Sequence, residues 1–189
     1  MRFCSDCGRP VSLRVPEGDH RPRHVCDCCG VVHYQNPKIV AGCISVWDER
    51  VLLCRRAIEP RYGLWTLPAG FMENGETTVQ AARRETLEEA CARVDVEALY
   101  AVFNLPHIDQ VYLLFRARLC APEFAPGAES LEVALFDEGR VPWERLAFPV
   151  IHEGLRLFFS DRARGDYPVR VADIERAAGG LSNYRMALL

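Results

Sequence analysis

Three glutamates lie within five residues of one another in the segment Gly70 to Ala92, which reads GFMENGETTVQAARRETLEEACA. If this segment is helical, Glu85, Glu88 and Glu89 fall within roughly 100° of one another and share one face. A like-charge pair four residues apart destabilises an isolated helix by about 0.2 to 0.5 kcal/mol. Such a face is either solvated surface or a site for a hard divalent cation, which binds carboxylates together with substrate phosphates.

The residues around the three glutamates predict how a helix would present them. Thr77 followed by Gln80 is a capping-box pattern that predicts a helix from Thr77 to about Ala92, and Asn74-Gly75 predicts a turn before it. Positions 81, 82 and 92 are alanine, so nothing bulky beside the acidic face would cover the carboxylates. Arg84, four residues before Glu88, offsets part of the negative charge. We therefore expect an accessible acidic site delivered by a loop.

A second group of residues with metal chemistry lies at the start of the chain. Cys4 and Cys7 form one C-x₂-C pair, Cys26 and Cys29 form another, and 18 residues separate the pairs. This spacing is typical of a four-thiolate zinc site. Four thiolates complete a tetrahedral shell, so we expect this zinc to be structural and catalysis to lie elsewhere.

Alternatives to this ligand set remain open. Cys28 could compete with Cys29, although the C-x₂-C spacing favours Cys29. His20 and His24 lie between the two pairs and could replace a thiolate, and all four cysteines could instead be unliganded thiols.

Composition limits the classes of function. The chain has 189 residues, 49% hydrophobic content and a net charge of −3, which suits one core domain with a small appendage and does not favour nucleic-acid binding. No apolar run approaches a membrane span, and the start MRFCSDCGRP lacks an apolar signal region. We therefore expect a cytoplasmic protein that makes no membrane contact.

The hydrophobic pattern predicts a mixed α/β chain in three parts: a zinc ribbon at 1–34, a core domain at 35–165 and a tail of unassigned structure at 166–189. A second helix is predicted at about 148–164. The predicted strands are 39–47, 51–55, 65–67, 94–103, 110–119 and 131–136.

The acidic segment resembles the signature of the Nudix hydrolases, G-x₅-E-x₇-R-E-U-x-E-E-x-G-U, where U is an aliphatic residue. The matching positions are Gly70, Glu76, Arg84, Glu85, Glu88 and Glu89. Thr86, Cys91 and Ala92 depart from the signature at its less polar positions. The resemblance covers about 1–164 and implies an α/β/α sandwich that hydrolyses a pyrophosphate bond with Mg²⁺ or Mn²⁺.

The resemblance also implies roles for individual residues. Glu85 and Glu89 would be the leading metal ligands, and Glu88 would be a further ligand or a group that activates water. Arg84 would orient Glu85, the backbone carbonyl of Ala69 would complete the ligand set, and Glu76 would support the loop near Gly70. Glu132 resembles a distal carboxylate that some members add to the metal cluster, with Glu129 as its rival.

The ribbon followed by a Nudix core is similar to NADH diphosphatases and to FAD and ADP-ribose pyrophosphatases. The NADH-type enzymes carry an S-Q-P-W-P-F-P segment after the Nudix signature, and this segment is absent here. ADP-ribose or FAD is therefore the preferred substrate, and NADH, capped RNA or a non-catalytic nucleotide sensor are the alternatives. The family also implies a homodimer.

Recognition of the rest of the substrate is harder to assign. Arg55, Arg56 and Arg61 could contact phosphates, although exposed arginines are common. His107 could line a substrate loop, although a solvent-facing or packed histidine is the commoner case. The aromatic residues that could stack on a base are Phe3, Tyr34, Trp47, Tyr62, Trp65 and Phe103.

Overall fold

The computed structural model describes residues 1–176 and 184–189. These residues form two compact units, Met1–Pro37 and Lys38–Leu189. In the described part, neither α-helix has the length and apolar character that a membrane crossing requires.

The first unit is a small antiparallel sheet of three strands, β1 (Val11–Arg14), β2 (Arg23–Cys26) and β3 (Val32–His33). Two tight turns carry the cysteine pairs. The amide of Gly8 donates to the carbonyl of Cys4, the amide of Gly30 donates to that of Cys26, and both glycines have positive φ, 70° and 74°. Glycine adopts this conformation without steric cost, which explains why each C-x₂-C pair is followed by glycine.

The second unit is built on one mixed sheet flanked by two helices, α1 (Thr78–Ala90) and α2 (Pro149–Arg164). The strands in the order β10-β5-β4-β9-β8-β11-β12 are hydrogen-bonded neighbours, while β6 pairs with β5 and β7 pairs with β4. The strands are β4 (Lys38–Trp47), β5 (Arg50–Arg56), β6 (Trp65–Thr66), β7 (Ala69–Phe71), β8 (Val94–Leu105), β9 (Gln110–Leu119), β10 (Ser130–Phe136), β11 (Arg170–Arg176) and β12 (Tyr184–Leu188).

The side chains of β4 alternate between two apolar layers, as expected for a strand buried on both faces. Val40 and Ile44 belong to the cluster that contains Ile151 and Leu155 of α2. Ala41 and Cys43 belong to the cluster that contains Ala81, Ala82 and Ala90 of α1. The two helices therefore cover opposite faces of the sheet, and the predicted α/β/α sandwich is confirmed.

Helix α1 begins with the predicted capping box. Thr77 accepts from the amide of Gln80, and the Gln80 side chain accepts from the amide of Thr77. At the other end Cys91 caps the helix in the left-handed conformation, with φ 48°. Ala81 and Ala82 are fully buried against the sheet, so these small residues allow α1 to approach β4 closely.

Strands β11 and β12 form a hairpin in the region that the sequence left unassigned. β11 runs parallel to β8, with Ala172 opposite Phe103 and Asp173 opposite Asn104. The Asn104 side-chain amide donates to the Asp173 carboxylate at 2.8 Å. Residues 177–183, which belong to the predicted tail, lie outside the described residues.

A buried carboxylate holds the base of this hairpin against α2. Asp161 is fully buried and accepts from the hydroxyl of Tyr100 at 2.7 Å. Arg164 and Arg170 both pair with the same carboxylate. Because Arg170 is the first residue of β11, this network fixes where the hairpin starts.

Candidate active site

Glu89 lies deep in the second unit, next to Ala69 at the start of β7. Its Oε2 accepts from the amide of Ala69 at 3.0 Å and lies 3.6 Å from the thiol sulfur of Cys54. Burial raises the pKa of the Glu89 carboxyl to about 7, because the charged form loses hydration, and the nearby charge of Glu85 adds to this effect. An ionised carboxylate here therefore favours a cation beside it.

Gly70 brings the backbone against the second carboxylate. A Cβ at this position would lie 2.3 Å from Oε2 of Glu85, which is far inside van der Waals contact. Gly70 does not have positive φ, so close approach and not backbone conformation requires glycine. Burial raises the pKa of Glu85, and the negative charges of Glu88 and Glu129 contribute, which together outweigh the opposite effect of Arg84.

Arg84 is the centre of an ion-pair network that orders the acidic face. Its Nη1 donates to Glu85 at 2.7 Å and to Glu88 at 2.9 Å. Its Nε and Nη2 form a two-pronged contact with Glu76 at 3.2 and 2.7 Å. These bonds raise the pKa of the guanidinium, the Glu76 contact most of all, so Arg84 stays charged and fixes the directions of the carboxylates.

Glu76 also organises the loop between β7 and α1. It accepts from the amide of Glu73 at 2.6 Å, and Arg84 donates to the carbonyl of Phe71 at 3.0 Å. The contact with Arg84 holds the pKa of Glu76 below its usual value. Glu76 therefore lies where it can support this loop, and its supporting role stays a prediction.

The carboxylates open into a cavity of about 900 Å³. Ala69, Gly70, Arg84, Glu85, Glu88 and Glu89 all line it. Glu88 is the most exposed of the three glutamates, with 58% of its side chain accessible, whereas Glu85 and Glu89 are buried. These six residues were all predicted from the sequence as site residues, and they lie together in the cavity lining. Glu85 and Glu89 are less solvated than residues of an exposed acidic face.

The distal carboxylate has two candidates, and the structure separates them. Glu132 is exposed, lies 3.1 Å from Arg55 in an ion pair, and is not among the described residues that line the cavity. Glu129 does line it. The placement favours Glu129, the rival in the sequence analysis, over Glu132.

The loop before β10 explains the position of Glu129. The amides of Ala125 and Gly127 donate to the carbonyls of Ala90 and Glu89, which have no partner within the helix because they lie in the last turn of α1. A Cβ on Gly127 would lie 1.6 Å from the carbonyl oxygen of Glu88, so only glycine fits this crossing. The loop thus passes over the last turn of α1 and leads Glu129 to the cavity.

The cavity lining also contains cationic and aromatic side chains. Arg56 and Arg61 line it, as does His107, whereas Arg55 does not. Arg56 packs over the Phe148 ring at 5.1 Å. The aromatic residues in the lining are Phe71, Tyr112, Phe148 and Tyr184, and none of these was among the aromatic candidates drawn from the sequence.

The sequence contained little signal for these aromatic residues. Tyr112 sits within a strand pattern that equally predicts a core residue, and Tyr184 follows a segment without clear periodicity. Trp65 and Phe103, which were candidates, are instead buried in the core.

The first unit contains a separate candidate zinc site. The sulfur atoms of Cys4, Cys7, Cys26 and Cys29 all lie within 4.8 Å of one another, as the spacing predicted. The Cys4–Cys29 and Cys7–Cys26 sulfur distances are 3.7 and 3.4 Å. A tetrahedral zinc with bonds of about 2.3 Å requires sulfur atoms about 3.8 Å apart, so these residues fit the ion.

Backbone and side-chain donors surround this cluster. The amides of Cys28 and Cys29 point to the sulfur of Cys26 at 3.4 Å, and the amide of Asp6 points to that of Cys4 at 3.4 Å. His33 Nε2 lies 3.3 Å from the Cys4 sulfur. Cys28 contributes an amide here, and its own thiol is not a member of the four-sulfur cluster.

Comparison with known proteins decides the family. A family model described as "Nudix N-terminal" matches residues 2–35, and one described as "NUDIX domain" matches residues 36–158. The chain belongs to the Nudix hydrolase family. A crystal structure of a NUDIX hydrolase from Nitrosomonas europaea is 56% identical, with a TM-score of 0.87, and the match covers 92% of this chain and 99% of that one.

Named relatives of this Nudix protein differ in activity. An ADP-ribose pyrophosphatase of Methanocaldococcus jannaschii is 31% identical over 61% of this chain and 69% of its own length. An NAD-capped RNA hydrolase NudC of Chromobacterium violaceum is 30% identical over 82% of this chain and 57% of its own length. The match to the NudC relative from Stutzerimonas stutzeri, 31% identical over 70% of this chain, spans 46% of that protein.

Three departures from the Nudix signature are accommodated locally. Thr86 is fully buried, and its hydroxyl donates to the carbonyl of Ala82 at 2.8 Å, so no polar atom is left unsatisfied. Ala92 is also fully buried. Cys91 takes the left-handed conformation that glycine, the residue of the signature, adopts without strain.

Proposed function

We propose that this Nudix hydrolase cleaves the pyrophosphate bond of a nucleoside diphosphate that is linked to another group, with ADP-ribose or FAD preferred. The observation that carries the proposal is the cluster of Glu85, Glu88 and Glu89 on one wall of a 900 Å³ cavity. Two of these carboxylates are buried, and both have raised pKa values. Clustered oxygen donors whose ionisation is disfavoured by burial fit a divalent cation such as Mg²⁺ or Mn²⁺.

The residues that would hold this cation are Glu85, Glu89 and the carbonyl of Ala69, with Glu88 as a further ligand or as the group that activates water. Glu129 is proposed as the distal carboxylate in preference to Glu132. When bound, a divalent ion would neutralise pyrophosphate oxygens and lower the pKa of a coordinated water. Arg84 holds Glu85 and Glu88 in place through its two bonds from Nη1. Arg56 and Arg61 supply positive charge for phosphate oxygens in the same cavity.

Glu88 is the best candidate to accept a proton from the attacking water. It is exposed within the cavity and bonded to Arg84, so its direction is fixed while its oxygens remain accessible. Glu89, in contrast, already accepts a hydrogen bond from the amide of Ala69. These differences support the assignment of Glu88 as the general base and of Glu85 and Glu89 as the leading metal ligands.

ADP-ribose and FAD are preferred because the NADH-type segment is absent and because one named relative is an ADP-ribose pyrophosphatase. Hydrolysis of NAD-capped RNA is the second candidate, because several named relatives are NudC enzymes. A sensor without turnover remains the third. The cytoplasmic location and the homodimer also stay predictions.

A substrate panel with purified protein tests the proposal. We expect Mg²⁺-dependent release of AMP from ADP-ribose or FAD at a higher kcat/KM than from NADH or NAD-capped RNA. A preference for capped RNA would favour the second candidate, and binding without product from any substrate would favour the sensor. Glu129→Gln should lower kcat at least tenfold and the matched Glu132→Gln should not, and the reverse result would restore Glu132 as the distal ligand.

A further inference from the structure

We propose that Arg176, the last residue of β11, and Tyr184, the first residue of β12, bind the nucleobase of the substrate. This inference rests on the proposed function and adds the residues that recognise the part of the substrate remote from the bond that is cleaved. The hairpin lies beyond residues 36–158, which the NUDIX domain model matches.

Strand register places Arg176 and Tyr184 side by side on one face. The two residues are direct partners in the antiparallel pair β11–β12. Directly opposed residues project to the same side of a sheet, with Cβ atoms about 5 Å apart. Both residues line the cavity.

The same face is apolar further down the hairpin. Ala172 and Ile174 on β11 are buried in the core, and Met186 on β12 packs against it. Because side chains alternate along a strand, Arg176 and Tyr184 continue this face beyond the core and into the cavity. Tyr184 is 40% exposed, so its ring is accessible to a ligand.

Strand β11 is well separated from β4, the strand on which α1 packs. Helix α1 packs on β4 and β7, whereas β11 is the third strand from β4 in the order β4-β9-β8-β11. Neighbouring strands are about 4.8 Å apart, so β11 is about 14 Å from β4 across the sheet. A substrate whose pyrophosphate lies on the carboxylates would extend its nucleoside towards the hairpin.

The chemistry of the pair suits an aromatic base. The phenol ring of Tyr184 offers a flat face for stacking, and stacking of a base on an aromatic side chain is a general mode of recognition. The guanidinium of Arg176 is planar and donates hydrogen bonds, so it can stack on the base or donate to its ring nitrogens. The adjacent lining residues Ile108 and Ile174 provide apolar contact.

Binding measurements with the reaction product test this assignment without requiring turnover. We expect Tyr184→Leu to weaken binding of AMP in excess Mg²⁺ about tenfold by calorimetry, and Arg176→Ala to weaken it at least about fivefold. Binding of ribose 5-phosphate, which lacks a base, should not change. Arg185→Ala is the matched control, because Arg185 pairs with Glu175 at the next register position and projects to the other face of the hairpin.

Kinetics with ADP-ribose provide a second readout. Each variant should raise KM by about the factor by which it weakens AMP binding, and should leave kcat within about twofold of wild type. The reason is that a contact remote from the cleaved bond is equally strong in the ground state and in the transition state. Unchanged AMP affinity in both variants, equal weakening of AMP and ribose 5-phosphate, or undetectable AMP binding to wild type would overturn the inference. If wild type binds AMP as expected but cleaves no substrate of the panel, the proposed function fails and the base assignment stands.

Discussion

Cys91 is the residue at which this chain departs most visibly from its family, and its conformation has an energetic consequence. It occupies the glycine position of the signature and caps α1 with φ 48° and ψ 28°. A residue with a Cβ is strained there by about 1 to 2 kcal/mol, and part of that is offset because glycine loses more backbone entropy on folding.

We therefore expect Cys91→Gly to raise the free energy of unfolding by about 0.5 to 1 kcal/mol. Chemical denaturation followed by circular dichroism measures this directly. Cys91→Ser is the matched control, since it removes the thiol, keeps the Cβ and should leave stability close to wild type. A Gly variant less stable than the Ser variant would show that the thiol or the Cβ has a favourable contact that outweighs the strain.

The raised pKa of Glu89 predicts how the free energy of unfolding depends on pH in the absence of divalent ions. Its pKa rises from an ordinary 4.5 to about 7 on folding, so between these values the folded state retains a proton that the unfolded state has lost. The free energy of unfolding should therefore fall as pH rises from about 4.5 to about 7, and should change little from this group above pH 7.

Denaturation curves in a chelator across this pH range provide the measurement. Glu89→Gln should remove most of the fall, whereas Glu88→Gln, at an exposed position, should keep it. Mg²⁺ added at pH 7.5 should stabilise wild type more than Glu89→Gln, because a bound cation compensates the buried charge. An identical pH dependence in wild type and Glu89→Gln would show that another group is responsible.

The acidic site also shows how far individual residues could be read from the sequence. The spacing of Glu85, Glu88 and Glu89 was sufficient to place them together, because the period of a helix fixes which residues share a face. The choice between Glu129 and Glu132 was not accessible, because a register shift between Ser130 and Glu132 interrupts the regular alternation of β10. Such an irregularity redirects side chains and leaves no simple mark in the sequence.

At the scale of elements, local signals determined how well each one was predicted. Helix α1 was predicted to within two residues at its end and β9 to the residue, because the capping box and a long apolar run are both local features. The hairpin β11–β12 was missed. It depends on parallel pairing with β8, which is remote in sequence, and on the buried Asp161 network.

The zinc ribbon is the element with the clearest test. Cys7→Ser and Cys29→Ser should each release about one equivalent of zinc and increase the protease sensitivity of the first unit, because metal binding and folding are coupled in small units. Cys28→Ser should retain the zinc, since its thiol lies outside the four-sulfur cluster. Metal analysis by mass spectrometry measures this, and loss of zinc in Cys28→Ser with full content in Cys29→Ser would contradict the ligand assignment.

At the scale of the second unit, the fold explains how one cavity combines two kinds of recognition. Helix α1 and the loops beside it contribute carboxylates to the cavity lining. In the sheet order, β5 and β10 lie on one side of β4, and the hairpin β11–β12 lies on the other side. The carboxylates match what the family has in common, while the hairpin lies beyond the matched residues. The two proposals thus assign reaction type to α1 with its adjacent loops and substrate choice to the β11–β12 hairpin.

The central claim is that this site directs water to phosphorus in a pyrophosphate, and the most direct measurement is the position of a solvent oxygen in the products. ADP-ribose hydrolysed with Mg²⁺ in water enriched in heavy oxygen should give AMP and ribose 5-phosphate, with the label in a phosphate of one product and in no ribose carbon. Glu88→Gln should slow this reaction by orders of magnitude without changing where the label enters. Release of free adenine, label on ribose, or equal turnover with a chelator in place of Mg²⁺ would contradict the account.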